Sequence, residues 1–421
     1  MQKKQTAPPE LMAPAGSFAA LRAAVRAGAD SVYFGVGDLN MRARAAEPFT
    51  REDLPEILRV CKKTGTKTYL ALNTIVYDED LERMRALCLD AKEQGLSAVI
   101  ASDPAAMLYA RELGMEVHLS TQANISNSEA VRFYSRWADV VVLARELTLK
   151  QIEEISAQIR RQGIRGPSGN PVRIELFVHG ALCLAVAGKC AMSLAQTGHS
   201  ANRGDCFQIC RRKFRVVDEE TGDEMVVDNP YILSPRDLCT IGILDKLTES
   251  GASLFKIEGR GRAPDYVATV TEVYREALDA VWKKTYTAKR IGDWTRRLES
   301  VFNRGFRQGG YYLGKPMEMW SGAYGSVATH QKFLCGPVVN YFPRIRVAEL
   351  DVRHEGLTTG DRAVVIGPTT GALGFTIDSI FMNDQPVDHA DKGTRVTLRV
   401  PDRVRRNDKL YLIRARRDWQ S

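Results

Sequence analysis

The sequence ELMAPAGSFAALRAAVRAGADSVYFG at positions 10–35 decides the fold. Residues 10–16 contain an apolar run that predicts the end of a short strand. Ser17 has the side chain of a helix N-cap, and apolar residues recur at helical spacing over 18–27. Residues 29–35 form a second apolar run of strand length. The stretch therefore predicts a strand–helix–strand unit.

The same alternation recurs along the first two-thirds of the chain. Further strands are expected at 68–73, 98–102, 116–121, 139–143, 173–178 and 254–258, with helices such as 52–64, 80–94 and 148–162 between them. Continuous apolar strands are typical of parallel sheets buried on both faces. Seven or eight repeats favour an α/β fold of the TIM-barrel type. A doubly wound sheet would require a glycine-rich turn after its first strand, and Ala13-Pro-Ala-Gly-Ser17 is not one.

The pattern changes near Gln331, where helical periodicity stops. Short β-rich segments separated by Gly, Pro and Asp follow, at 345–350, 362–367, 394–400 and 409–413. Such segments predict a small antiparallel β-barrel of about 90 residues. We therefore expect a TIM-type barrel over residues 1–330 and a small β-barrel domain over residues 331–421.

Composition and charge restrict the functional classes. The chain has 421 residues, 44% of them hydrophobic and 26% charged, which is ordinary for a globular protein. No apolar run approaches the ~18 residues of a membrane span, and the first ten residues lack the layout of a secretory signal, so we expect a cytoplasmic protein. The net charge is +8. Three basic clusters suit a polyanion such as RNA, or are merely solvated basic faces: Arg160, Arg161 and Arg165; Lys283, Lys284, Lys289, Arg290, Arg296 and Arg297; and Arg403, Arg405, Arg406, Arg414, Arg416 and Arg417.

Four of the eight cysteines fall within 28 residues, at Cys183, Cys190, Cys206 and Cys210. In a reducing compartment, clustered cysteines favour metal or iron–sulfur ligation over disulfides. Their spacing matches neither a zinc ribbon nor a ferredoxin, but four thiolates suit either a 4Fe–4S cluster or zinc. Cys239 is a fifth candidate ligand.

Polar residues follow several predicted strands, at the end where a TIM-type barrel carries its reactive face. Lys256 and Glu258 fall on one face of the last strand, and Arg260 follows them. With Arg145 they can bind an anionic substrate, because guanidinium groups match carboxylates and phosphates. An ionic network that closes the barrel is an equal alternative. These four residues and Gln122 are the candidate catalytic residues.

Hydrolytic motifs are weak. No Gly-x-Ser-x-Gly elbow occurs, and His354-Glu355 lacks the second histidine of a zincin. Ser193 can be paired with His179 or His199, but nothing in the sequence supplies a third member of a triad.

The chain resembles the collagenase-like peptidase family U32. The resemblance covers nearly the whole chain and rests on Leu11-Met-Ala-Pro-Ala-Gly-Ser17, Ser120-Thr-Gln-Ala-Asn124, Glu175-Leu-Phe-Val-His-Gly-Ala-Leu-Cys183, Gly188-Lys-Cys190-Ala-Met-Ser193, Asn202-Arg-Gly-Asp-Cys206, Ser234-Pro-Arg-Asp-Leu-Cys239 and Lys256-Ile-Glu-Gly-Arg260.

This resemblance implies members that hydroxylate without molecular oxygen, with a 4Fe–4S cluster and with prephenate as the hydroxyl source. They include the branch of tRNA hydroxylation proteins, which form 5-hydroxyuridine at the wobble position, and relatives that act on rRNA or on ubiquinone precursors. The length, the appended barrel and the basic surface favour the tRNA branch. By this resemblance Cys183, Cys190, Cys206 and Cys210 are the ligands, with Cys239 open as an alternative to Cys210.

The expected partners are tRNA and a small dicarboxylate, with no membrane. A homologous partner subunit is compatible with the sequence. Three other functions are open: a peptidase, an rRNA hydroxylase, and a non-enzymatic RNA-binding protein with structural zinc.

Overall fold

A computed structural model describes residues 8–43, 48–186, 188–225, 231–314, 320–323 and 325–416. The strands of its first part are β1 (Glu10–Pro14), β2 (Ser31–Phe34), β3 (Lys67–Leu72), β4 (Ala98–Ala101), β5 (Glu116–Leu119), β6 (Val140–Val142), β7 (Arg173–Gly180), β8 (Val216–Val217), β9 (Glu224–Met225), β10 (Asp237–Cys239), β11 (Leu254–Ile257) and β12 (Phe306–Gln308). The helices are α1 (Phe18–Arg26), α2 (Leu54–Lys62), α3 (Leu81–Gln94), α4 (Pro104–Glu112), α5 (Ser128–Tyr134), α6 (Leu149–Arg161), α7 (Met192–Thr197), α8 (Leu244–Glu249), α9 (Pro264–Trp282) and α10 (Ala288–Glu299).

Eight parallel strands close into a barrel, which confirms the predicted TIM-type fold. Strands β1 to β7 pair in sequence order, and β11 pairs in parallel with both β1 and β7. Almost every residue of these strands is buried, because helices cover the outside of the barrel and side chains fill the inside. Strand β10 extends the sheet by pairing antiparallel to β7 and parallel to β12.

The opening strand–helix–strand unit forms as the sequence predicts. The Ser17 side chain accepts a hydrogen bond from the backbone N–H of Ala20, so it caps α1. The alanine-rich side of α1 is buried, and α1 packs against α9. Small side chains allow this close approach, and they place β1 and β2 next to each other in the barrel.

The last part of the chain is a second, antiparallel sheet. Its strands are β13 (His330–Phe342), β14 (Val347–Asp351), β15 (Leu357–Thr358), β16 (Arg362–Gly367), β17 (Gly371–Thr376), β18 (Ile380–Met382), β19 (Gln385–Val387), β20 (His389–Ala390), β21 (Arg395–Arg399) and β22 (Lys409–Ala415). Eight of them follow the order β17-β16-β22-β13-β14-β21-β18-β19, and every pairing is antiparallel, as predicted.

The antiparallel sheet has its own core and packs on the barrel through one end. Strands β16 and β17 lie against α1 and α9, where Ala23, Val364 and Ala372 form a small apolar cluster. An ion pair of 2.5 Å between Lys332 and Asp265 joins the start of β13 to the start of α9. Within the described ranges, no helix combines the length and the apolar character needed to cross a membrane.

We expect Gly336→Ala to destabilise the antiparallel sheet. A Cβ at Gly336 would lie 1.8 Å from the backbone oxygen of Asp351, which cannot move without breaking the sheet. Overpacking of this kind typically costs about 1–3 kcal/mol of unfolding free energy, measurable by urea denaturation. Gly374→Ala is the matched control, because its Cβ would find its nearest neighbour at 4.0 Å. Equal stability of the two variants would contradict the assigned packing.

Candidate functional site

A pocket opens at the C-terminal ends of the barrel strands, where the sequence predicts the reactive face. Its floor and walls come from barrel strands and strand-end loops, and one side comes from the segment 181–211 that follows β7. Every candidate catalytic and cluster residue named from the sequence lines it, apart from the alternate ligand Cys239: Lys256, Glu258, Arg260, Arg145, Gln122, Cys183, Cys190, Cys206 and Cys210.

Two arginines near the C-terminal end of the segment 181–211 hold it in place. Arg211 donates hydrogen bonds of 2.6 Å to the backbone oxygens of Leu182 and Pro235. The guanidinium of Arg203 lies 4.0 Å from the ring centroid of Tyr77 and pairs with buried Asp80. These contacts fix a largely irregular segment, because charge-assisted hydrogen bonds replace the missing backbone ladder.

The four clustered cysteines lie on this segment and share one environment. Cys183 is exposed and Cys190, Cys206 and Cys210 are half-buried. Burial raises the pKa of Cys210, Arg211 opposes this, and the charges of the other three thiols raise it further. In the part of the chain that is described, no three Cys, His, Asp or Glu side chains already stand in the arrangement of a bound metal ion.

The chemistry of this donor set fits an iron–sulfur cluster. Arg42 interacts electrostatically with Cys183 and Cys206, and Arg145 interacts with Cys183. The backbone N–H of Met192 donates to the Cys190 sulfur at 3.4 Å. Cationic neighbours and N–H···S hydrogen bonds stabilise thiolates. Cys183, Cys190, Cys206 and Cys210 are therefore the residues that would hold the group.

Cys239 lies elsewhere. It is fully buried in β10, and burial raises its pKa to about 12. A neutral thiol in such surroundings is typical of a core residue, so the placement favours Cys210 as the fourth ligand.

A row of charged side chains, buried at its upper end and half-buried at Glu116 and Arg173, runs along the barrel axis beneath the pocket. The Lys256 ammonium donates to the Glu175 carboxylate at 2.8 Å. The other oxygen of Glu175 lies 3.3 Å from Nδ1 of His118, and Nε2 of His118 lies 2.9 Å from the Glu116 carboxylate. Arg173 pairs with Glu116 at 2.5 Å. Branched apolar side chains usually fill this space in a TIM barrel, so the barrel axis here is unusually polar.

The charges in this row shift one another's pKa values. Burial raises the pKa of Glu175, but Lys256 and His118 outweigh it and lower the pKa to about 2. Burial lowers the pKa of His118, but Glu116 and Glu175 outweigh it and raise that pKa. Burial also lowers the pKa of Lys256, against the attraction of Glu175. The row therefore consists of alternating positive and negative groups, and each charge is compensated by its neighbours.

The pocket wall above Lys256 is rich in arginine. Arg42 pairs with Glu258 at 3.4 Å, and Arg260 donates to the Asn40 side chain at 2.8 Å. Arg260 is 6% exposed, and burial lowers its pKa to about 10. Arg145 stacks on Phe177, with 3.8 Å between its guanidinium carbon and the ring centroid.

Arg145 has an unused donor facing this wall. Its Nη1 donates to the backbone oxygen of Ala181 at 2.7 Å, but its buried Nε has no hydrogen-bond partner among the described residues. An unpaired buried donor is costly, and a bound anion would satisfy it. Arg42, Arg145, Arg260 and Arg262 face the single carboxylate of Glu258, so the wall suits an anionic ligand.

Gln122 lines the pocket in a group of amide and hydroxyl side chains. Asn73 Nδ2 donates to Gln122 Oε1 at 3.4 Å and to Ser120 Oγ at 3.3 Å. The Asn73 oxygen accepts from the backbone N–H of Met41 at 3.2 Å. These uncharged donors and acceptors differ in chemistry from the arginines of the same pocket.

His179 does not belong to the pocket, although the sequence places it at a strand end. The register of β7 against β11 shifts after Lys256, which pairs with Phe177, so that Ile257 pairs with His179. This bulge turns His179 toward Tyr274 and Phe306, where burial lowers its pKa to about 3. Ser193 accepts a hydrogen bond from the Phe207 backbone N–H instead. The His179–Ser193 pair is therefore not supported.

The sequence analysis missed Tyr33 and Arg42. The Tyr33 hydroxyl donates to the backbone oxygen of Ile257 at 2.9 Å, and its ring centroid lies 4.5 Å from the Lys256 ammonium. Arg42 follows β2 in the loop that also carries Asn40. Applying the strand-end rule to the loop after β2 would have found Arg42, whereas the inward direction of Tyr33 depends on the barrel register.

Comparison with known proteins agrees with the resemblance drawn from the motifs. Residues 16–322 match peptidase family U32, so the chain belongs to that family. It is 51% identical over 409 residues to a protein named "Collagenase" from Porphyromonas gingivalis, covering 97% of this chain and 99% of the relative.

Two further relatives carry RNA-modification names. The chain is 31% identical to "tRNA hydroxylation protein P1" of Bacillus subtilis, over 90% of this chain and 88% of the relative. It is 37% identical to "23S rRNA 5-hydroxycytidine C2501 synthase" of Escherichia coli, over 65% of this chain and 39% of the relative.

We expect Glu175→Leu alone to lower the free energy of unfolding more than Glu175→Leu combined with Lys256→Met. The single variant leaves Lys256 and His118 buried without their shared counter-ion, which typically costs about 3–5 kcal/mol of unfolding free energy. The double variant removes one of those cations. Urea denaturation of both variants and of Lys256→Met completes the double-mutant cycle. Additive losses would contradict direct coupling of Lys256 and Glu175.

Proposed function

We propose that the chain is an iron–sulfur-dependent RNA hydroxylase that converts the wobble uridine of tRNA to 5-hydroxyuridine without molecular oxygen, with prephenate as the hydroxyl donor. The observation that carries the proposal is the meeting of four cysteines and an arginine-rich wall in one pocket at the catalytic end of the barrel. The names of the Bacillus subtilis and Escherichia coli relatives supply the reaction class.

The arginine wall suits the donor. Prephenate is a dicarboxylate, and Arg145, Arg260 and Lys256 offer two planar guanidinium groups and an ammonium within one buried space. The free Nε of Arg145 adds a hydrogen-bond donor. Glu258 balances part of this charge and, with Gly180 packed against its backbone, keeps Arg42 beside the wall.

The amide side chains of the pocket suit the base. The Asn73 and Gln122 amides can pair with the polar edge of a uracil that has left its stack. The exchange balances when C5–H of the base becomes C5–OH while C–OH of the donor becomes C–H. A bound cluster supplies electron transfer for this exchange. The chain's own groups bind the donor, orient the base and limit the access of water.

The matched test is nucleoside mass spectrometry of tRNA from a deletion strain. We expect 5-hydroxyuridine derivatives to disappear and to return with the wild-type gene, but not with Cys190→Ala. Unchanged levels of these derivatives in the deletion strain would contradict the proposal, and a missing 5-hydroxycytidine in 23S rRNA would redirect it to rRNA.

The cofactor is tested on purified protein. Anaerobically isolated wild-type protein should contain about four iron and four sulfide ions per chain and should show an absorbance band at about 400 nm. Cys206→Ala should lose both, whereas Cys239→Ala should retain the iron because Cys239 lies outside the pocket. Zinc without sulfide would instead favour a structural metal.

A peptidase is the second candidate, because the relative that is 51% identical is named "Collagenase". It predicts cleavage of collagen peptides by a protein in which all four clustered cysteines are replaced. Such cleavage would overturn the hydroxylase.

A further inference from the structure

The outer face of the antiparallel sheet carries an arginine-rich surface whose residues do not line the pocket. Alternation along β14 and β21 buries Ala348, Leu350, Val396 and Leu398, and therefore turns their neighbours outward. Register places Arg399 opposite Val347, which in turn lies opposite Phe342.

Exposed aromatic rings lie on the same face. Phe342 and Phe381 are each 40% exposed. Phe381 pairs with Thr397, two residues before Arg399. At the usual strand spacing the two rings lie roughly 15 Å apart on one sheet surface, with arginine near each. Exposed aromatic rings are the side chains on which unpaired bases stack.

The loop after β21 adds positive charge beside this face. A groove there is lined by five arginines and two carboxylates, a net charge of +3: Arg353, Arg395, Arg403, Arg405, Arg406, Glu349 and Asp351. Arg353 pairs with Asp351 at 2.9 Å and Arg395 approaches Glu349 at 3.8 Å, so the carboxylates are already neutralised.

The remaining guanidinium groups are available. Within the described ranges, Arg344, Arg346, Arg399, Arg403 and Arg406 have no side-chain ion pair, while Arg417 of the predicted C-terminal cluster lies outside those ranges.

We propose that this surface, formed by Phe342, Phe381, Arg399, Arg403 and Arg406, binds a single-stranded segment of RNA, with bases stacked on the phenylalanines and phosphates held by the arginines. The combination of π-faces and unpaired cations on an open sheet is the usual means of binding such strands. The proposal rests on the proposed RNA substrate and adds a second contact point to it.

The location assigns this surface to docking. Lys332 at the start of β13 pairs with Asp265 near the pocket, and Phe342 ends the same strand. Thirteen residues of strand span at most about 40 Å. None of the residues of this surface lines the pocket, so the surface binds a part of the RNA other than the base in the pocket, and its variants should change the affinity for RNA and leave the pocket geometry intact.

The experiment measures binding of fluorescently labelled tRNA by anisotropy at several salt concentrations, with the full chain. The triple variant Arg399→Ser, Arg403→Ser, Arg406→Ser should bind at least tenfold more weakly, and its salt slope should fall by about 2, at roughly 0.7 for each lost phosphate contact. The double variant Phe342→Ala, Phe381→Ala should bind about tenfold more weakly with an unchanged slope, because stacking releases no counterions.

The matched control is Lys283→Ser, Lys289→Ser, Arg296→Ser, which removes three exposed charges from α10 and from the turn between α9 and α10. Wild-type affinity is expected of this control. An equal loss in both triple variants would indicate bulk charge and would overturn the proposal, as would competition by polyphosphate as strong as that by unlabelled tRNA of equal charge.

The two proposals fail separately. If wild type forms 5-hydroxyuridine but the surface variants bind tRNA like wild type, only the docking surface is wrong. If the surface variants lose affinity but the deletion strain keeps its 5-hydroxyuridine derivatives, only the hydroxylase is wrong. Circular dichroism melting of each variant shows that lost binding is not lost folding.

Discussion

Closure of the barrel by β11 is the constraint on which the rest of the structure depends. This strand pairs with both β1 and β7, so it brings the first and last repeats together. It also carries Lys256, which points inward and pairs with Glu175 of β7. This ion pair lies where two strands that are far apart in the sequence meet. Because a buried pair is costly to break, the same contact stabilises the closed register and fixes the pocket floor.

That arrangement unites the two interpretations that the sequence left open for the strand-end charges. Lys256 takes part in an ionic network that lies inside the barrel, and it also lines the pocket. Arg260 and Arg145 donate to neutral oxygens of Asn40 and Ala181, so the nearby Glu258 carboxylate balances only part of their positive charge. The network and the anion-binding wall are therefore two layers of one structure.

The barrel could be predicted from the sequence because its signals are local. Apolar runs of strand length and polar strand ends repeat along the chain, and Ser17 caps the first helix. The four cysteines lie close together in one segment of the sequence. The position of His179 could not be predicted, since a bulge in β7 reverses its direction and no residue type announces that bulge. The charges along the barrel axis were likewise hidden, because Glu116, His118 and Glu175 become neighbours only when the strands are in register.

All four pocket cysteines belong to a single excursion of the chain between β7 and β10, clasped by Arg211 and Arg203. The barrel strands contribute none of these sulfurs. A change confined to this one segment would therefore alter all four sulfurs and leave the barrel strands and the arginine wall as they are. The sulfur donors and the arginine wall are therefore separable modules of the sequence, and substitutions in one need not disturb the other.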